Sequence, residues 1–100
     1  MHSSLKNKLP EVTNLLKQHR VKSAYVFGSV LTEDFKPSSD IDLLVYFKKV
    51  PFKGYADNLF DLEEKLMKIL GRKVDIVPGH TLSNPYFIAS INRNKVALYE

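Results

Sequence analysis

Apolar positions recur along the chain in two rhythms, and the switches between them predict its elements. Leu5, Leu9, Val12 and Leu16 follow at steps of four, three and four, one face of a helix running to about His19. Pro10 falls inside that pattern; it either occupies the first turn of the helix or kinks a longer one. Ser23 to Phe27 is aromatic and β-branched and stops at Gly28, which reads as a strand. A short helix is expected over Ser29–Glu33, then a loop from Asp34 to Ser39. Ile41 to Phe47 is apolar on both faces, as in a central strand covered on each side.

Lys48 to Gly54 holds Pro51 and Gly54 and reads as a connection. Tyr55 to Leu70 predicts a second amphipathic helix, with Leu59, Leu62, Leu66 and Ile69 inward and Gly71 as a left-handed cap. Asp61, Glu63 and Glu64 fall on its solvated face, with Glu64 and Lys68 spaced for an ion pair. Val74–Val77 is a short strand ended by Pro78-Gly79. Asn84-Pro85 opens a short helix, and Val96–Tyr99 forms a last edge strand. The alternation predicts an α/β (α+β) domain: a small mixed sheet flanked by helices.

Composition narrows the functional classes. With 100 residues, 44% hydrophobic and 26% charged, the chain suits one ordered domain over residues 1–100. The absence of cysteine removes disulfides, thiol nucleophiles and cysteine-based zinc sites. No run approaches the ~18 apolar residues of a membrane span, and the start lacks the apolar segment of a secretory signal. A cytoplasmic location is therefore expected. A net charge of +4 favours polyanionic partners, yet the lysines are scattered without an aromatic–basic motif, so direct nucleic-acid binding is not expected. His2, His19 and His80 lack metal-ligand spacing: His19 suits a helix-end cap and His80 a turn.

Three features carry candidate chemistry. Gly28-Ser29 lies where a strand gives way to a helix, a place where backbone N–H groups favour a phosphate, although a strand-ending turn with a serine cap uses the same residues. Asp40 and Asp42 stand two apart at a strand start, so both carboxylates share one face with Cα atoms roughly 6.5–7 Å apart. Converging carboxylates repel unless a cation relieves them, and hard oxygen ligands suit Mg²⁺; a polar loop with a solvated Asp42 is the other reading. Asp75 interrupts the apolar run Val74-Asp75-Ile76-Val77, where an unpaired charge is costly. Lys73, Arg72 or an exposed edge position would answer it. So would a place beside the Ile41–Phe47 strand, where Asp75 joins Asp40 and Asp42 around metal ions.

Taken together, Gly28-Ser29, ten intervening residues, then Asp40-Ile41-Asp42 followed by Leu43-Leu44-Val45 resembles the signature of the DNA polymerase β-type nucleotidyltransferases. The likeness covers nearly the whole chain and is strongest to the stand-alone minimal branch. It implies the polymerase β-like fold, nucleotide binding at Gly28 and Ser29, and metal-binding catalytic carboxylates at Asp40, Asp42 and Asp75. It further implies ATP as donor, Mg²⁺ as cofactor, and a partner protein, a HEPN-type toxin, as the acceptor of AMP on a tyrosine hydroxyl. A non-catalytic antitoxin that neutralises its partner by complex formation is the alternative. One departure stands out: after Gly-Ser, many members carry a small residue, then Arg and Gly, whereas this chain has Val30-Leu31-Thr32-Glu33. Lys36, Lys48 and Lys49 are candidate substitutes for that arginine.

Overall fold

The computed structural model describes residues 3–28, 40–50 and 52–100. The Leu5–Leu16 pattern divides into α1 (Ser3–Lys6) and α2 (Leu9–Gln18), separated by a turn in which the Lys8 N–H donates to the Leu5 carbonyl at 3.1 Å. Pro10 sits in the first turn of α2, where its missing N–H costs no helical hydrogen bond. Leu5, Val12, Leu15 and Leu16 are buried, so the spacing marks one apolar face despite the break.

β1 covers Val21–Phe27, two residues earlier than the expected start at Ser23. The extra residues pair irregularly: Val21 lies opposite Phe47 and Ser23 opposite Tyr46, with a register shift between them. β2 (Ile41–Phe47) runs antiparallel to β1, and α3 (Tyr55–Leu70) follows it. Gly71 closes α3 in the left-handed region at φ 68°, its N–H donating to the Met67 carbonyl at 2.8 Å, as the sequence predicts. β3 (Val74–Pro78) then joins β2 in parallel. A single 3₁₀ turn (Gly79–Thr81) leads to α4 (Pro85–Asn94) and β4 (Val96–Tyr99), which pairs antiparallel with β1. Asn84 starts α4, its side-chain oxygen accepting from the N–H groups of Tyr86 and Phe87 at 2.9 and 3.2 Å.

The strand order is β3-β2-β1-β4, a mixed sheet with β2 inside, as its apolar pattern requires. Residues opposite one another on paired strands share a face. One face carries Ala24, Val26, Ile41, Leu43, Val45 and Val74, which form the core with Val12, Leu16, Leu62 and Leu66 of α2 and α3. The other face carries Phe27, Asp42 and Asp75 on one rung, then Tyr25, Leu44 and Val77 on the next equivalent one. Phe87 of α4 meets Phe27 there edge to face, at 6.2 Å between centroids.

The helical layer has a polar clasp where a solvated face is expected. His19 is buried at the end of α2; its Nδ1 donates to the Leu15 carbonyl at 2.8 Å and its Nε2 meets Asp61 Oδ2 of α3 at 2.7 Å. Both ring nitrogens therefore face oxygen atoms, and the ring is held from two sides. Lys65 approaches the same Asp61 oxygen at 3.0 Å, and the Asn58 side chain donates to the His19 carbonyl at 2.9 Å. His19 is the expected cap, but Asp61 is not merely solvated: it ties α3 to α2. The Glu64–Lys68 pair forms as expected, at 3.6 Å. No helix among the described residues is long and apolar enough to cross a membrane.

Candidate active site

Parallel pairing of β2 and β3 decides where the third carboxylate goes. The Ile41 N–H donates to the Lys73 carbonyl at 2.9 Å, which sets the register, and Asp42 then stands directly opposite Asp75. Their side chains leave the same face of the sheet from strands about 4.8 Å apart. β3 is an edge strand, yet Asp75 is half-buried rather than exposed; the reading that holds is a place beside β2. Lys73 does not answer Asp75; its ammonium lies 3.9 Å from Asp40 Oδ2 instead.

Gly28 closes the same rung from β1. Phe27 pairs with Asp42, and the chain leaves the strand through Gly28 at φ 80°, a conformation that L side chains disfavour. A Cβ built on Gly28 would sit 2.5 Å from Asp42 Oδ2. The missing side chain is thus what admits the carboxylate beneath the turn. Ser29, the expected Ser29–Glu33 helix, the Asp34–Ser39 loop and Lys36 lie outside the described residues.

Electrostatics single out Asp42. Its carboxyl is pushed above the usual range, first by burial and then by the charges of Asp75 and Asp40. A carboxylate strained in this way is relieved by a cation, and the donor set, made only of carboxylate oxygens, suits a hard divalent ion. Among the described residues no three acidic, histidine or cysteine groups are gathered tightly enough to hold an ion as the side chains stand. Asp42 and Asp75 form the pair already in place, while Asp40, at the strand mouth, leans toward Lys73.

Sequence reasoning missed a cleft of about 510 Å³ on this face, toward the opposite end of the strands. Tyr25, Tyr46 and Lys95 line it from β1, β2 and the residue before β4. Only the strand register brings them together, so no local motif announces them. His80, read as a turn residue, lies in the 3₁₀ turn and also borders the cleft.

Comparison with known proteins gives this geometry its context. A Methanocaldococcus jannaschii protein provisionally named a protein adenylyltransferase is 37% identical, the match covering 94% of each chain. A solved structure, provisionally described as a minimal nucleotidyltransferase, superposes with a TM-score of 0.78 at 29% identity, over 94% of this chain and 92% of that one. The MNT antitoxin complex with tri-AMPylated HEPN toxin from Shewanella oneidensis shares the fold at a TM-score of 0.67 and 20% identity, over 93% of this chain and 70% of the other. The polymerase beta nucleotidyltransferase family model matches residues 10–100, the stretch that holds Gly28, Asp40, Asp42 and Asp75, and the chain belongs to that family.

Proposed function

We propose that residues 1–100 act as one cytoplasmic nucleotidyltransferase domain that moves AMP from ATP to a hydroxyl of a partner protein, a HEPN-type toxin, and so serves as its antitoxin. The observation that carries this reading is the rung of Asp42 and Asp75 beneath the side-chain-free turn at Gly28. The names of the relatives support protein adenylylation and a HEPN partner.

In this reading Gly28 and Ser29 hold the triphosphate, since backbone N–H groups and a hydroxyl just past a strand end suit phosphate oxygens. Asp40, Asp42 and Asp75 hold Mg²⁺, which when bound neutralises phosphate charge and acidifies the acceptor hydroxyl. The acceptor oxygen forms a bond to the α-phosphorus while the bond to the bridging oxygen of pyrophosphate breaks, and in this reading Asp75 takes the hydroxyl proton. The protein's own contribution is positioning and charge neutralisation.

The test is incubation with α-labelled ATP, Mg²⁺ and a HEPN-type protein as acceptor, the product of a neighbouring gene being the first to try. Label should move to the partner with the wild-type protein and not with Asp42→Asn. Neutralisation of the partner that survives Asp42→Asn, with no label transferred by either protein, would replace catalysis by simple complex formation.

A further inference from the structure

Resting on the transferase reading above, we propose that the cleft beyond the carboxylates docks an acidic segment of the acceptor protein. In-line phosphoryl chemistry places the attacking oxygen and the leaving group on opposite sides of phosphorus. With the triphosphate at the Gly28 end, the acceptor approaches from the other side, along the strands. Register defines that path: Phe27 opposite Asp42, then Tyr25 opposite Leu44, then Ser23 opposite Tyr46. Four residue steps along β2 take Asp42 to Tyr46, about 13 Å. The cleft, with Tyr25 opposite Leu44 and Tyr46 farther on, therefore takes the part of an extended peptide about two to four residues from a hydroxyl at the Asp42–Asp75 rung.

Its lining selects an anionic, partly apolar occupant. Lys22, Lys95, His80, Tyr25, Tyr46 and Ser23 contribute, and among the described residues no acidic side chain does. None of the ion pairs among the described residues uses Lys22 or Lys95. The Lys95 ammonium lies 4.3 Å over the Tyr25 ring, and the Tyr46 ring presses so closely on Gly79 that a side chain there would collide with it. One face of each ring is thus covered, and the two rings stand at 86° to one another. They offer no shared platform for stacked bases, which disfavours a nucleotide or single-stranded nucleic acid. Cationic heads on apolar stems and ring edges suit glutamate or aspartate side chains on an extended segment.

The probe is a pair of synthetic tyrosine peptides of roughly 12 residues, identical except that Glu or Lys occupies the positions about two to four residues from the tyrosine. Binding to the full chain is followed by NMR at the amides of Tyr25, Tyr46 and Lys95. The Glu peptide should bind at least about 10-fold more tightly, and Lys22→Glu with Lys95→Glu should reverse the preference. Equal affinity, shifts confined to other surfaces, or AMP without metal perturbing the cleft more strongly than the peptide would each overturn the proposal. Should the double variant not fold, the wild-type protein still decides. Affinity for the Glu peptide should fall as salt rises from about 50 to about 300 mM, and an affinity indifferent to salt sinks the idea. Peptide preference reads docking alone, whereas label transfer with Asp42→Asn reads catalysis, so the two readings fail separately.

Discussion

Gly28 lies over Asp42 with room for a hydrogen and no more: a methyl on its Cα would come within 2.5 Å of the Asp42 Oδ2 atom. The turn and the carboxylate are fitted to each other. Gly28→Ala should therefore be harmful twice over, through the left-handed backbone and through displacement of the carboxylate. The conformational cost is about 1–2 kcal/mol, or a fall of roughly 4–16 °C in the unfolding midpoint for a domain of this size. Thermal unfolding read beside label transfer checks it, and transfer should drop even at temperatures where the variant stays folded.

Asp42→Asn removes a half-buried, mutually repelled charge. Without divalent metal at neutral pH the variant should unfold at a higher temperature than the wild type, because the native carboxyl of Asp42 is harder to ionise than its unfolded counterpart. Mg²⁺ should raise the wild-type midpoint and leave the variant nearly unmoved, since only a native site that binds the ion gains from it. Transfer should fall by at least about 10²–10³-fold, the scale for losing one charge-stabilising group. Calorimetry with and without Mg²⁺, together with the transfer assay, tests all three.

The clasp between α2 and α3 gives the fold a pH response on its acid side. Asp61 is held below the usual carboxylate range, first by the hydrogen bond from His19 and then by that from Lys65. A depressed native pKa contributes stability that is present above the unfolded value of about 3.9 and is lost as pH falls through the native one. Asp61→Asn should be less stable than the wild type near pH ~5–7, with the difference closing as the pH drops below ~4. Urea titrations at several pH values would show the two curves converging.

Leu62 is fully buried between α3 and the sheet. Leu62→Ala should cost about 2–5 kcal/mol through lost burial and the residual cavity. Neighbouring Phe60 is 66% exposed, so Phe60→Ala should change stability by less than about 1 kcal/mol. Chemical denaturation of the two variants separates the inner from the outer face of α3.

Much of this arrangement is legible in the residues themselves. The alternation around Asp42 and the polar interruption at Asp75 are local signals, and a strand that buries its neighbours leaves few other places for that carboxylate. Gly71 as a helix cap and Asn84-Pro85 as a helix start are equally local. What escapes is long-range. His19 and Asp61 are 42 positions apart, and nothing near either one names the other. Tyr25, Tyr46 and Lys95 become neighbours only through strand pairing. The early start of β1 rests on an irregular pairing of Val21 and Ser23 that composition does not encode.

The pairing of Asp42 with Asp75 has a broader consequence. The spacing of these two acids is set by main-chain geometry, like marks on a ruler, and not by the side chains that surround them. Substitutions at solvent positions nearby can retune who is recognised without moving the gap between the acids. A lineage built on this frame is free to change its clients while keeping its chemistry, provided the ladder between the second and third strands stays in step.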